Sequence, residues 1–180
     1  DTRPEWGRTG AGVDLLIKKS KDLLITPLSD WREEDAIFCE IVGKQVNQYN
    51  KHLNDCIPLT SRTTNQPIEL TCIKGAHGSK ISDCGYGIQK TKAGDGYTWH
   101  DDFCVDSFNG IRHVTYIFYL NEVDEGWTQF YNGNQVQPKT GRLLLFPSTW
   151  TYIHQGYPPK QDKYIVTGWV SESIEKVTNQ

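Results

Sequence analysis

The sequence lacks several features that would assign it to a class at once. It contains no methionine and no run of about eighteen apolar residues, so no membrane-spanning helix is predicted. Its formal net charge is −3, so it has no excess of basic residues, which argues against nucleic acid as the main partner. The N-terminal stretch DTRPEWGRTG does not have the basic-then-apolar pattern of a secretion signal.

Paired cysteines are also missing. The five cysteines, at positions 39, 56, 72, 84 and 104, are odd in number and include no C-x-x-C pair. This spacing predicts neither a disulfide framework nor a thiolate zinc site. Reduced thiols are typical of reducing compartments, so a cytoplasmic or virion-interior location is expected.

The composition present is that of a folded globular protein. Of the 180 residues, 37% are hydrophobic, 23% are charged and 12% are aromatic, enough to bury one sizeable core. There is no internal repeat, low-complexity tract or linker. We therefore predict a single domain over residues 1–180, with a helical N-terminal part to about residue 56 and a β core from about 57 to 172.

One long helix is predicted over about residues 31–54. Ser29 or Asp30 can cap it, and the acids at 33–35 favour its positive N-terminal end. The segment 13–24 fits either a short helix or an interrupted strand. Apolar residues at helical spacing predict one buried stripe, at positions 37, 38, 41, 42, 46, 49 and 53.

Short segments rich in β-branched and aromatic residues follow from residue 57, separated by Gly, Pro, Asn and Asp. They predict seven or eight antiparallel strands in a sandwich or barrel with two sheets. The segments lie at 68–74, 86–91, 97–105, 112–121, 127–131, 142–146, 150–154 and 163–171.

The stretch YTWHDDF, residues 97–103, contains a candidate pair of metal ligands. Residues i and i+2 of a strand share a face, so His100 and Asp102 are predicted to project together, with Asp101 pointing away. The pattern H-x-D often arises by chance, so this pair alone is also explained by two surface residues that bind no metal. His154, before a Gly/Pro loop, is the third candidate. Two histidines and one carboxylate leave three positions of an octahedral metal open, as in non-haem Fe(II) oxygenases.

The stretch DKYIVTGWV supplies a candidate partner for a small-molecule anion. Strand alternation places Lys163, Ile165, Thr167 and Trp169 on one face. A lysine buried on that face would need an anionic partner, which a dicarboxylate chelating the metal would provide. A solvent-exposed lysine at a strand end explains the sequence equally well.

Five motifs then occur in a fixed order across about residues 85–171: YTWHDD, RHVTYIFYLN, EGWTQF, PKTGRLLLFPSTWTYIHQG and KYIVTGWV. Together they resemble the prolyl 4-hydroxylase-like branch of the 2-oxoglutarate/Fe(II) dioxygenases, particularly its compact bacterial and phage members. The resemblance implies a mainly β fold with N-terminal helices, a double-stranded β-helix of jelly-roll, cupin-like type. It also implies that the protein is located in the cytoplasm of a bacterium or of a phage-infected cell.

The resemblance further implies the residues of the site and the reaction. Iron(II) would be held by His100, Asp102 and His154. The residues implied to bind 2-oxoglutarate are Tyr119, Lys163, Thr167 and Trp169. The implied reaction is O2-dependent hydroxylation, by family resemblance of prolyl residues in a peptide or protein, releasing succinate and CO2. Ascorbate is a further candidate cofactor.

Two positions depart from many relatives. No tyrosine lies at or near Lys90–Thr91, and Gly126-Trp127 replaces a Gly-Gly pair. Two other functions stay open: a jelly-roll binding or structural module without turnover, and a cupin-like metal enzyme that does not use 2-oxoglutarate. The presence of all three candidate ligands argues against the first, and the set of Lys163, Tyr119 and Thr167 argues against the second.

Overall fold

A computed structural model describes residues 3–57, 59–68, 73, 81–106 and 110–172. Within these residues the chain forms one α-helix, α1 (Arg32–Cys56), and fourteen strands. The strands are β1 (Glu5–Trp6), β2 (Lys21–Leu24), β3 (Leu59–Thr60), β4 (Pro67–Ile68), β5 (Ile81–Asp83), β6 (Gly87–Thr91), β7 (Tyr97–His100), β8 (Val105–Asp106), β9 (Gly110–Tyr119), β10 (Thr128–Phe130), β11 (Gln135–Val136), β12 (Leu143–Pro147), β13 (His154–Gly156) and β14 (Lys163–Glu172).

Helix α1 confirms the predicted helix but not its cap or the width of its buried stripe. Residues 29–31 form a 3-10 turn, and no side chain caps the helix. Only Val42 and Val46 are buried, with Phe38 packed against the core, whereas positions 37, 41 and 49 are exposed. The stripe is narrow because α1 rests on one face of the larger sheet, with Ile73 as a further contact at Asn50 among the described residues. No helix in the described residues is long and apolar enough to cross a membrane.

The strands form two main antiparallel sheets. The larger has the order β1-β2-β6-β14-β9-β12, with β5 also paired to β14 and β8 to β9. The smaller has the order β11-β10-β13-β7, and β3 pairs with β4 separately. These sheets confirm the prediction of a mainly β chain, although one α-helix precedes the core where several helices were expected.

Two groups of apolar side chains hold these layers together. One group lies between α1 and the larger sheet and includes Tyr86, Tyr116, Phe118 and Val166. The other lies between the two sheets, where Phe130 of the smaller sheet meets Ile117, Tyr119 and Phe146 of the larger one. The larger sheet is therefore covered on both faces.

Three predicted strands differ in the structure. The segment 68–74 lies mostly outside the described residues, and only Ile68 of it falls in β4. The segment 97–105 is interrupted after His100, because the backbone leaves the ladder before β8. The segment 150–154 begins as a 3-10 turn, Trp150–Tyr152, and only His154 belongs to a strand.

The first described residues form what we call the N-terminal arm, residues 3–24. Its β2 pairs with β6 at one edge of the larger sheet. Residues just before β2 contact the smaller sheet, because the Lys19 amide donates to the Gly96 carbonyl and the Thr98 amide donates to the Ile17 carbonyl, both at 2.9 Å. The arm therefore ties the two sheets together.

The four cysteines that the structure describes form no disulfide. Cys39 and Cys56 are exposed and Cys104 is half-buried. The Cys84 thiol donates to the Ser171 hydroxyl at 2.8 Å. Cys72 lies outside the described residues.

Candidate active site

The three predicted metal ligands lie together. His100 ends β7 and His154 begins β13, and the two residues are cross-strand partners. Asp102 completes the group, and one possible ligand atom from each residue lies within 4.8 Å of the others. The Asp102 carboxylate is 3.9 Å from His100 Nε2 and 3.6 Å from His154 Nε2.

Backbone carbonyls orient both imidazole rings. His100 Nδ1 donates to the Thr98 carbonyl at 2.7 Å, and His154 Nδ1 donates to the Tyr152 carbonyl at 3.0 Å. Because carbonyls only accept, these bonds place the proton on Nδ1 and leave the Nε2 lone pairs facing the cluster. Burial, with His154 nearby, lowers the pKa of His100 to about 4, so this ring is neutral at pH 7.

Asp102 reaches the cluster by a route that strand alternation did not predict. It follows the end of β7, so its direction is set by contacts with neighbouring strands. Its amide donates to the Ser148 carbonyl at 3.2 Å, and its carboxylate accepts from the Thr115 hydroxyl at 2.8 Å. The Thr115 and Ser148 hydroxyls, both nearly inaccessible, are 3.0 Å apart. Sequence reasoning missed this hydroxyl pair as part of the site, although Thr115 shares the strand parity of Tyr119.

A cavity of about 460 Å³ opens beside the cluster, between the two sheets. The residues of β14 predicted to share one face all line it: Lys163, Ile165, Thr167 and Trp169. The metal-ligand candidates occupy another part of its wall. The cavity therefore brings the two predicted halves of the site together.

Lys163 is buried, so the interpretation of a solvent-exposed lysine at a strand end is wrong. Its side chain is 4% exposed, and its ammonium donates to the Gly126 carbonyl at 2.7 Å. Consecutive positive φ angles at Glu125 (60°) and Gly126 (66°) shape the turn that carries this carbonyl. No carboxylate among the described residues forms an ion pair with Lys163, and burial lowers its pKa to about 8.

The other predicted cosubstrate residues occupy distinct positions. Thr167 lines the cavity and donates to the Tyr116 carbonyl at 2.9 Å. Tyr119 lies behind the cavity wall, where its hydroxyl shares a 2.7 Å hydrogen bond with Thr128. Burial raises the pKa of Tyr119 to about 12, so the hydroxyl keeps its proton. Trp169 lines the cavity, and its indole Nε1 is buried without a hydrogen-bond partner among the described residues.

Two further side chains at the cavity were not predicted. Tyr97 stacks on the His100 ring with 3.5 Å between centroids, and it lines the cavity. The Arg112 guanidinium carbon lies 3.6 Å from the centre of the Trp169 ring. Tyr97 and His100 belong to the same strand, whereas the Arg112–Trp169 contact joins segments distant in sequence.

Comparison with protein-family models gives one match. The model of the 2OG-Fe(II) oxygenase superfamily matches residues 86–171, from just before β6 to near the end of β14. The match therefore includes the histidine and aspartate cluster and the buried lysine. A comparison with curated proteins gives no significant match.

Solved structures with a similar fold include several prolyl hydroxylases. A viral collagen prolyl hydroxylase from Paramecium Bursaria Chlorella virus-1, solved with 2OG, is 18% identical with a TM-score of 0.58, over 88% of this chain and 81% of that one. A prolyl hydroxylase from Trichoplax adhaerens, in complex with a hypoxia inducible factor peptide fragment, is 21% identical with a TM-score of 0.60, over 95% and 71%. A Pseudomonas putida prolyl-4-hydroxylase is 19% identical with a TM-score of 0.58, over 92% and 76%.

These three likenesses support the fold, while the family match covers the segment that carries the cluster. The chemistry of the donor set, two imidazoles and one carboxylate, is that expected of a ferrous oxygenase. Residues 86–171 therefore form a domain of the 2OG-Fe(II) oxygenase superfamily, and the protein is a 2-oxoglutarate-dependent Fe(II) dioxygenase.

Proposed function

We propose that this enzyme hydroxylates prolyl residues of a peptide or protein, with release of succinate and CO2. The observation that carries the proposal is a cavity with three converging ligand side chains on its wall and a buried lysine that has no acidic partner in the part of the chain that the structure describes. We also infer that the two sheets form a double-stranded β-helix of jelly-roll type.

His100, Asp102 and His154 would hold Fe(II). Two imidazole nitrogens and one carboxylate oxygen suit this ion, and three ligands leave coordination positions open for small molecules. The backbone carbonyls that bind both Nδ1 atoms keep the rings oriented, and Thr115 does the same for the carboxylate. A preorganised donor set of this kind needs little rearrangement to accept a metal.

Lys163 would pair with the distal carboxylate of 2-oxoglutarate. Its ammonium can donate three hydrogen bonds and makes one, to Gly126. A carboxylate in the cavity would supply the missing negative charge, which removes the penalty of burying an unpaired cation. Thr167 and Trp169 on the same strand face, together with Tyr119 behind Thr128, would shape this end of the cavity.

The protein positions the reactants and keeps water out. When bound, ferrous iron and 2-oxoglutarate supply O2 activation and transfer of one oxygen atom to an unactivated C–H bond. Ile117 and Ile165 give the inner wall apolar surface that disfavours ordered water. No side chain has to act as a general base, because the proposed step breaks a C–H bond without prior deprotonation.

A peptide or protein is the proposed substrate class. The cavity opens to the surface, with exposed aromatic side chains at Trp99 and Phe103 close to the metal ligands in the chain. The similar structure from Trichoplax adhaerens is a complex with a peptide fragment. Both observations favour a chain-like substrate, part of which stays outside the cavity.

The test combines turnover with mass spectrometry. The protein is incubated with Fe(II), 2-oxoglutarate, ascorbate and a panel of proline-containing peptides. Succinate formation and a mass gain of one oxygen atom on a proline are expected for the wild type. Asp102→Ala should abolish both, whereas Lys92→Met, at an exposed lysine outside the cavity, should not. Undiminished turnover in Asp102→Ala would refute the assigned ligand.

A thermal-shift experiment separates the cupin-like alternative. A ligand specific to the native state raises the apparent melting temperature. We expect 2-oxoglutarate to raise it in the presence of metal beyond the effect of metal alone. An enzyme that binds metal but not 2-oxoglutarate would give the metal effect only.

A further inference from the structure

A second cavity of about 470 Å³ adjoins the active-site cavity. Five residues line both: Arg8, Lys18, Gln89, Thr167 and Trp169. The second cavity continues from these shared walls between the N-terminal arm and the larger sheet. The two cavities are therefore neighbours with a shared wall, and we call them together the channel.

The floor of the channel is a single face of β6 and β14. In their register Lys163 pairs with Thr91, Ile165 with Gln89, and Thr167 with Gly87. The active-site cavity covers the Lys163 end, and the second cavity lies over Gly87, Gln89 and the Thr167–Trp169 end. From Lys163 to Trp169 the strand rises roughly 20 Å, the length of about six residues of extended peptide.

Gly87 makes the room for the second cavity. Its position on the inner face carries no side chain, and a Cβ added there would meet only the Thr167 carbonyl oxygen, at 3.6 Å. The position could therefore accept a larger residue without strain. Any larger side chain would stand on the channel floor.

The roof of the channel carries a cation, Arg8, for which the described residues supply no partner. Arg3 and Lys18 of the N-terminal arm each pair with an aspartate at 2.7 Å, Asp30 and Asp22 respectively. Arg8 is exposed, lines both cavities and makes no ion pair or side-chain hydrogen bond with the described residues. Its charge is therefore available to an anionic group in the channel.

We propose that the N-terminal arm and β6 form a second binding site for the peptide substrate. An extended peptide runs from the active site along the channel, with an acidic side chain at Arg8 and an apolar side chain over Gly87. The shared lining of the two cavities and a guanidinium with no partner among the described residues both point to this occupant. The inference rests on the proposed function in one respect: it takes from that function that the substrate is a peptide.

The test measures peptide binding separately from turnover. Three probes are used: a fluorescent peptide of about nine residues with a central proline flanked by glutamates, its glutamine counterpart, and acetyl-Ala-Pro-Ala-amide. Arg8→Ala removes the charge, and Gly87→Val fills the floor. Arg32→Ala is the matched control, because Arg32 is exposed and lines neither cavity. Circular dichroism establishes that each variant is folded.

The expected pattern differs between the two variants. By fluorescence anisotropy, Arg8→Ala lowers the affinity for the glutamate peptide about fivefold. This loss is absent with the glutamine peptide and decreases at high salt. Gly87→Val lowers the affinity for both long peptides about tenfold. Hydroxylation of the tripeptide is unchanged in Gly87→Val, because Gly87 lines only the second cavity, and Arg32→Ala behaves as wild type.

Several results would overturn the second site. It fails if Arg8→Ala and Gly87→Val bind both long peptides as wild type does, or if wild type does not prefer the glutamate peptide. Hydroxylation of the tripeptide together with such unchanged binding refutes the second site and leaves the hydroxylase intact. The expected binding pattern without oxygen transfer to any peptide supports the second site and refutes the hydroxylase.

Discussion

Replacing Lys163 with methionine should make the ligand-free protein more stable and unable to bind 2-oxoglutarate. Burial lowers the pKa of Lys163 from its usual 10.5 to about 8, so the charged form is disfavoured in the fold. At 1.36 kcal/mol per pH unit, this difference corresponds to about 3 kcal/mol of destabilisation at pH 7. Losing the hydrogen bond to the Gly126 carbonyl offsets about 1 kcal/mol of the gain.

The net increase in the free energy of unfolding is therefore about 2 kcal/mol, or roughly 4–8 °C in melting temperature for a chain of this size. The sign follows from proton binding. Between pH 8 and 10.5 the unfolded lysine holds its proton while the folded one releases it, so wild-type stability rises with pH. Between pH 7 and 9.5 the advantage of Lys163→Met should fall by about 2 kcal/mol.

Urea denaturation at both pH values measures this difference, and differential scanning fluorimetry with metal and 2-oxoglutarate measures binding. The wild type should gain melting temperature from 2-oxoglutarate, and Lys163→Met should not. Lys92→Met is the control, since Lys92 is exposed and its change should alter neither measurement. A variant no more stable than wild type at pH 7, with a difference independent of pH, would refute the reasoning.

Two further predictions concern Thr115 and Gly168. Thr115→Val removes the hydroxyl that donates to Asp102, so Co(II) affinity, followed by visible absorption, should fall about tenfold, with Thr115→Ser close to wild type. Equal affinities would remove the positioning role of this hydroxyl. At Gly168, a Cβ would overlap the Tyr116 hydroxyl and the Gly85 carbonyl. Gly168→Ala should therefore lower the free energy of unfolding by about 3 kcal/mol in urea titrations, and a loss below about 0.5 kcal/mol would contradict this packing.

Strand alternation predicted the site best where a strand runs without interruption. The ten residues of β14 keep their parity from Lys163 to Trp169, so all the residues assigned to its inner face line the cavity. Burial of Lys163 could not be predicted from this pattern, because it depends on β14 lying between β6 and β9. That position follows from pairings between segments more than forty residues apart.

Features that depend on local chain breaks or on distant contacts were not predicted. Asp102 shares the site with His100, but through the hydroxyl and carbonyl contacts of Thr115 and Ser148 rather than through the parity of one strand. The prediction that Ser29 or Asp30 caps the helix was wrong, because residues 29–31 form a 3-10 turn before the helix begins. The N-terminal arm carries no periodic pattern, so its contact with both sheets appears only in three dimensions.

The order of strands in the larger sheet has a consequence for biosynthesis. Strand β14 joins β6 to β9, and its residues follow both partners in the chain by more than forty positions. Until residue 172 has left the ribosome, the sheet exists as two separate halves with open edges. Unpaired edges of this kind favour aggregation, so expression at low temperature, with chaperones in excess, should improve the yield of folded enzyme.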